Sequence, residues 1–299
     1  MLDCVLLVVS YRSAQDVTAL LATVPPAVGE LSWRAVVVNN DPADDLSAVA
    51  ALPGVEVVES EANLGYAGGI NVGLAAAPPS RFTIFLNPDL RLMPDSIVTM
   101  ARAAEERHAV APRIVDDAGE TAPSLRREPA VLGSLGDALF GDRWPNRPGW
   151  LSEMIREPAA YERRMKVDWA TGAALLVPTS VAREVGPWDA DRFFLYSEET
   201  DYCRRLRAAG SQVRFTPDAT VSHRGGGSGT SDALYALLEV NRVRYFRKWH
   251  RAPAGAAFAA VTALHSLLRA SRSRNRLALR ALLSASVRGE LPGGTRQGL

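Results

Sequence analysis

The chain has 299 residues, 47% hydrophobic and 22% charged, which suits a soluble globular protein with a full core: one large α/β domain and an appendage. Its two cysteines, Cys4 in a predicted strand and Cys203 in a predicted helix, exclude a disulfide framework and a cysteine metal site and fit a reducing cytoplasm. The net charge of +1 hides an asymmetry: residues 241–299 hold 12 Lys or Arg and one acid, so the totals of 34 and 33 leave 22 basic and 32 acidic residues in 1–240, a net of +11 against −10.

The start, Met1-Leu2-Asp3-Cys4-Val5, runs directly into a core strand without the segments of a secretory signal, so a cytoplasmic location is expected. Val5 to Val9 reads as a buried strand closed by Ser10-Tyr11-Arg12, an edge that a phosphate or base could meet. Ser13 is placed to cap a helix with apolar positions Val17, Leu20, Leu21 and Val24, and Pro25-Pro26 is expected to stop it. Ala35 to Val38 makes a second strand, ending in Asn39-Asn40-Asp41-Pro42, and Val55 to Val58 a third. Strands separated by helical stretches predict a doubly wound, mostly parallel sheet. Asn63-Leu64-Gly65-Tyr66-Ala67-Gly68-Gly69-Ile70-Asn71 is a glycine-rich turn opening a helix to Ala77. It suits close backbone approach to an anion, or simply close packing of helix on sheet.

Phe82 to Leu86 has the composition of a central parallel strand, and Pro88 ends pairing, leaving Asn87-Pro88-Asp89 at a carboxyl edge. In open α/β sheets ligands bind at that edge, and Asp89 reads either as a ligand for a hard divalent cation shared with a diphosphate or as part of a plain turn. Pro94 begins a helix to about Arg107, and Ala109 to Pro112 resembles a strand. Residues 116–166 lose periodicity and read as a lid or a disordered insertion. Val167 to Pro178 is read as one strand, with Gly172 leaving room for substrate and Trp169 either stacking on a sugar or buried in the core.

Ser197-Glu198-Glu199-Thr200-Asp201 opens a helix closed by Gly210, with Ser197 as N-cap and Asp201 able to pair with Arg204 or Arg205. Three carboxylates exceed what capping needs. A carboxylate at a helix N-terminus is expected to stay ionised, so one of them can serve as general base toward a sugar hydroxyl. Val213 to Thr216 and Ala219 to Ser222 are strand-like, and His223 opens Arg224-Gly225-Gly226-Gly227-Ser228-Gly229 as a structural or ligand histidine.

In order and spacing, Val9-Ser10-Tyr11, Asn39-Asn40-Asp41, the Asn63 to Asn71 turn, Asn87-Pro88-Asp89, Thr171-Gly172-Ala173 and Glu198 to Cys203 resemble inverting glycosyltransferases of family 2. These have the GT-A fold, a Rossmann-like α/β architecture, and the resemblance covers about residues 3 to 230. Asn-Pro-Asp in place of Asp-x-Asp is similar to the rhamnosyltransferase-like branch of bacterial cell-envelope synthesis. The resemblance implies a catalytic domain over 1–240, with a nucleotide-sugar half at 1–115 and an acceptor half at 116–240, followed by a basic helical extension over 241–299.

It also implies donor-binding positions at Ser10, Tyr11, Arg12, Asn40, Asp41, Asn63, Gly65, Asn71 and Asn87, and Mg²⁺ or Mn²⁺ at Asp89 with help from His223. Trp169, Thr171 and Gly172 lie on the acceptor side, and the catalytic candidates are Glu199, Glu198 and Asp201. The family commonly has Glu-Asp where this chain has Glu198-Glu199, so Glu199 falls on the base position with a side chain one methylene longer. The implied reaction moves a sugar, L-rhamnose from dTDP-rhamnose being favoured, onto a glycan or polyprenyl-diphosphate-linked acceptor. A UDP-sugar donor carrying galactofuranose or N-acetylglucosamine, and a non-catalytic nucleotide- or glycan-binding module, are the alternatives. The extension suits an anionic membrane surface on the cytoplasmic side, or packing on the catalytic domain or on a second subunit; it carries no nucleic-acid motif.

Overall fold

The computed structural model describes residues 1–105, 107–223 and 231–294. Its first half follows the expected winding. Strand β1 (Leu2–Ser10) leads into helix α1 (Ala14–Leu21) and a short α2 (Val24–Val28), then β2 (Trp33–Asn39), α3 (Ser47–Ala50), β3 (Val55–Glu59), α4 (Gly65–Ala76) and β4 (Ser80–Leu86). Pro25 and Pro26 do not stop a helix; they sit in the first turn of α2, where the missing N–H costs nothing. Ser13 likewise forms no side-chain cap, and its hydroxyl lies 3.0 Å from that of Ser10.

Pro88 ends β4, but the chain re-enters the sheet as β5 (Leu90–Leu92) before α5 (Ser96–Ala104) and β6 (Ala109–Val115). The segment 116–166 is more ordered than its lost periodicity suggests. It contributes β7 (Leu125–Arg126), α6 (Val131–Leu139), three short 3₁₀ turns and the start of β8 (Met165–Val167). The stretch expected as one strand is divided into the end of β8, β9 (Trp169–Ala170) and β10 (Ala174–Pro178), followed by α7 (Thr179–Val185) and α8 (Glu198–Ala208). The two late strand-like runs are one strand, β11 (Val213–His223), with an irregularity between Thr216 and Thr220. The Arg224 to Gly229 loop lies outside the described residues.

Among the described residues the main sheet has nine strands in the order β3-β2-β1-β4-β10-β6-β11-β5, with β8 also on β11; β7 and β9 form a separate pair. The strands β3, β2, β1 and β4 are mutually parallel, so their carboxyl ends lie side by side, Ser10 opposite Asn39 and Asn39 opposite Glu59. Beyond β4, β10 runs antiparallel between β4 and β6. Alternate residues of β1 serve two cores: Cys4, Leu6 and Val8 pack with Val17 and Ile97, while Val5, Leu7 and Val9 pack with Ile70 and Tyr202.

The extension is α9 (Asp232–Trp249), α10 (Ala252–Leu268), α11 (Ser273–Leu283) and α12 (Ala285–Gly289). Residue 241 is not a boundary, because α9 runs straight through it. Nor is the basic tail a detached object. Phe246 stacks on Phe258 at 4.1 Å, Val131 of α6 packs on that cluster, and Arg269 donates to the Ala138 carbonyl at 2.8 Å.

Candidate active site

The sheet edge is built first by backbone. Ser10, Tyr11, Arg12 and Asp41 come together where β1 and β2 end. Arg12 Nε donates to Asp41 at 2.7 Å, and that guanidinium, with the Ala43 N–H, holds the Asp41 carboxyl below its ordinary value. Tyr11 stays 46% exposed, with the Arg12 guanidinium 5.2 Å from its ring centre, an open face beside a charge.

Asn40 turns inward instead. Its amide donates to Asn63 Oδ1 and the Gly65 carbonyl, both at 3.1 Å, and accepts from Leu64 N–H at 3.0 Å, so it pins the glycine turn rather than offering a free edge. Asn63 accepts from Gly65 N–H at 2.9 Å. Asn71 corrects the donor-binding expectation: both ends of its amide are used at 2.8 Å by the backbone of Trp188. The glycines serve packing. A Cβ on Gly65, whose φ is +72°, would lie 2.0 Å from the Phe194 carbonyl, and one on Gly69 would lie 2.7 Å from Val9.

At the end of β4, Asn87 N–H donates to the Ala173 carbonyl at 2.8 Å, which fixes the turn that carries Asp89. His223, at the end of β11, is 134 residues away in sequence, yet its Nε2 lies 3.1 Å from Asp89 Oδ1. Among the described residues no three His, Cys, Asp or Glu side chains gather as a metal cage. Two protein donors at one edge nonetheless fit Mg²⁺ or Mn²⁺, which takes its remaining oxygens from a diphosphate and water.

The acidic helix start departs from a simple cap. Tyr196 and Ser197 both have left-handed backbones, φ +70° and +68°, and Ser197 makes no side-chain cap bond. Two consecutive non-glycine residues in that region are strained and persist only when surroundings hold them. Asn241 of α9 does so, donating to the Leu195 carbonyl at 2.8 Å and the Tyr196 carbonyl at 3.4 Å.

The three carboxylates then part company. Glu199 lines a cavity of about 450 Å³ and lies against Gly172, where a Cβ would meet its own at 3.3 Å; Gly172 makes room for Glu199 before any substrate. Glu198 is 5% exposed, and one oxygen of each glutamate is buried without a partner. Asp201 is fully buried and committed elsewhere, to Arg205 at 2.9 Å, Lys248 at 2.6 Å and Trp249 Nε1 at 2.9 Å. That removes it from the catalytic candidates. Burial raises both glutamates above their ordinary value, Glu198 far above it with Glu199 adding to the shift, so the expectation that helix position keeps a carboxylate ionised is opposed at these two positions by desolvation.

The wall facing Glu199 contains residues with no local signature. Trp169 and Thr171 line the same cavity, Trp169 at once core and lining, its Nε1 donating to the Arg127 carbonyl at 3.0 Å. Arg126, Arg242, Tyr245, His265 and Arg269 complete the wall, four of them from the extension. Burial lowers His265 to about 4, so it stands there neutral at physiological pH. The Tyr66 hydroxyl and Trp188 Nε1 are also buried without partners. Burial, with the negative charge of Glu198, Glu199 and Asp89, keeps the Tyr66 phenol protonated.

A parallel sheet edge ending in Asn-Pro-Asp, with a glutamate pair at the start of a later helix, is the arrangement of a glycosyltransferase of the GT-A type. The chain belongs to glycosyl transferase family 2, whose family model matches residues 6–164. It is 31% identical over 251 residues to the N-acetylglucosaminyl-diphospho-decaprenol L-rhamnosyltransferase of Mycobacterium tuberculosis, covering 77% of this chain and 81% of that protein. It is 26% identical to the low-salt glycan biosynthesis hexosyltransferase Agl10 of Haloferax volcanii, covering 69% and 62% of the two chains. The structure of GalNAc-T7 with UDP, GalNAc and Mn²⁺ superposes with a TM-score of 0.62 at 13% identity, over 95% of this chain and 56% of that one, a likeness of fold.

Proposed function

We propose that the protein transfers L-rhamnose from dTDP-rhamnose to the N-acetylglucosamine of a polyprenyl-diphosphate-linked acceptor, inverting the anomeric carbon, at the cytoplasmic face of a membrane. The observation that carries the reading is Glu199: a buried carboxylate with an unpartnered oxygen that lines a cavity and lies against Gly172, whose neighbour Ala173 accepts from Asn87 N–H at the end of β4. The relative from Mycobacterium tuberculosis supports the sugar and the acceptor.

Glu198 and Glu199 are adjacent, buried and coupled, and two such groups do not both ionise. Glu198 carries the larger upward pressure, while Arg126 favours charge on Glu199, so the proton rests on Glu198 and Glu199 is the base. The acceptor hydroxyl gives its proton to Glu199 as its oxygen bonds to the anomeric carbon. On the opposite face the bond to the diphosphate oxygen breaks, and that oxygen keeps the electron pair. A divalent ion held by Asp89 and His223 would neutralise the diphosphate as it departs. Tyr11 and Arg12 flank the base, and Trp169 offers a flat face to the acceptor sugar.

A donor screen tests this directly, measuring TDP, UDP or GDP release with Mg²⁺ or Mn²⁺ present. TDP release from dTDP-rhamnose, dependent on acceptor and abolished by Asp89→Ala, is expected. Preference for a UDP-sugar would replace the donor, full turnover in excess EDTA would remove the metal, and no release from any donor would leave a binding module.

A further inference from the structure

Most cations around the Glu199 cavity already have partners. Arg242 meets Glu153 at 2.9 Å and Glu239 at 3.5 Å, and Arg156 meets Asp142 at 3.5 Å and Asp137 at 3.8 Å. Arg269 donates to the carbonyls of Ala138, Asp137 and His265.

Arg126 is different. Its Nη1 donates to the carbonyls of Pro123 at 2.7 Å and Leu125 at 3.1 Å, and among the described residues no carboxylate forms an ion pair with it. Nε and Nη2 are left over. Burial pushes its pKa down, while the side chain stays half-buried and its two unbonded nitrogens keep access to solvent. The backbone is rigid here, because Arg126 pairs with Trp169 across the β7–β9 ladder and bridges to Met154, and its guanidinium lies 5.8 Å from the Trp169 ring centre. A guanidinium on a rigid backbone with two free donor nitrogens at a cavity can hold a pair of phosphate oxygens as a fork.

We propose that Arg126 is the residue that reads the acceptor's diphosphate, binding its oxygens while the sugar hydroxyl reaches Glu199. This rests on the lipid-diphosphate reading of the acceptor given above. The cavity's 450 Å³ falls within the roughly 300–1,000 Å³ of small-ligand sites, room for a sugar and its diphosphate with the lipid left outside. Arg126 also borders a second cavity, lined by Lys166 and Arg207. The test must therefore tie it to the acceptor.

The full chain is assayed with saturating donor on two acceptors that end in the same N-acetylglucosamine, one a short prenyl diphosphate and one an uncharged octyl glycoside. Arg126→Lys keeps the charge and loses the fork. Its KM for the diphosphate acceptor should rise about 10- to 100-fold, any change on the octyl glycoside should be several-fold smaller than that, and the donor KM should stay within about twofold. Equal loss on both acceptors, wild-type behaviour on both, or a rise in donor KM alone would overturn the proposal. If the wild type uses neither acceptor, the functional reading fails, and binding then decides Arg126 separately. With TDP and Mg²⁺ saturating, farnesyl diphosphate should quench tryptophan fluorescence in the wild type far more tightly than in Arg126→Lys; equal affinity, or no binding by the wild type, rejects the role.

Discussion

The edge proposed for the donor takes its residues from the ends of four neighbouring parallel strands, whereas the Glu199 cavity proposed for the acceptor is assembled from β7, α6, α8, α9 and α10, with Arg126 and Arg269 separated by half the chain. On the donor side each position follows from local chemistry: a strand stops, a proline or glycine turns the chain, and a polar side chain is left at the edge. On the acceptor side nothing is local. Glu199 is held by a strained turn that an asparagine of the extension clamps, and the wall opposite it comes from helices that composition alone reads as a basic tail. The Glu199 cavity is thus a tertiary product, and the extension is part of it.

The largest effect expected from breaking this arrangement comes from separating Glu199 from Asp201, which lie in one helical turn but belong to different walls. Glu199→Gln keeps the packing and removes the base, so kcat should fall by about 10² to 10⁴ with donor KM unchanged. Asp201→Asn should instead act on stability. It withdraws a fully buried charge from Arg205 and Lys248, at a cost of about 3 to 5 kcal/mol read by denaturant unfolding. A stable Asp201→Asn enzyme with the kcat loss expected of Glu199→Gln would reverse the two roles.

That pair also marks how far the sequence is legible. The acidic cluster was visible, but its three members were indistinguishable until helical geometry was applied in three dimensions: Asp201 sits two residues past Glu199, some 200° around the helix, and so faces α9 instead of the cavity. Asn87-Pro88-Asp89 was readable because a strand end is local, and the His223 partner was found by its own strand end. Asn71 was misread because its amide satisfies a backbone 117 residues away, which no pattern records. Residues 116–166 looked structureless because β7 has only two residues and α6 packs mainly on α10, outside any periodic neighbourhood.

Next in size is the clamp. Asn241→Ala removes the donors to the Leu195 and Tyr196 carbonyls, each buried bond being worth about 1 to 3 kcal/mol once its partner is stranded. Relaxation of the left-handed turn should lower kcat several-fold on either acceptor while donor affinity stays. Unchanged kcat in a destabilised protein would mean that the extension supports the fold and not the base.

Protonation separates the two walls more gently. Glu198 has a folded pKa above its ordinary 4.5, so over that window the native state keeps a proton that the unfolded chain has lost. Stability should therefore fall as pH rises from about 4.5 through the folded value, the opposite of a salt-bridged carboxylate. Glu198→Gln should flatten that slope. Because Glu199 is raised as well, the acid limb of kcat/KM should lie above the ordinary glutamate range. A thermal midpoint that climbs across the same interval would show that Glu198 is ionised in the native protein.

The smallest effect concerns the outer face of the extension. No described helix is long and apolar enough to cross a membrane, but Leu267, Leu268 and Leu283 are 57%, 55% and 74% exposed, and Arg272, Arg276 and Arg280 are exposed near them on the last turn of α10 and on α11. Arg242 and Lys248 of α9 are instead paired with Glu153 and Asp189 of the catalytic domain. Each Arg near anionic lipid contributes about 1 kcal/mol, so Arg276→Gln should weaken binding to phosphatidylglycerol vesicles about fivefold. Leu267→Ser with Leu268→Ser should weaken it further, and all of these variants should keep wild-type turnover on the octyl glycoside. Truncation after Arg251 would not serve as the test, since it deletes Phe258 from a packed cluster and Arg269 from the cavity wall. If the intact protein sediments equally with neutral and anionic vesicles, or with neither, the exposed leucines are better explained as a contact between copies of the chain, and the oligomeric state of Leu267→Ser becomes the measurement that decides.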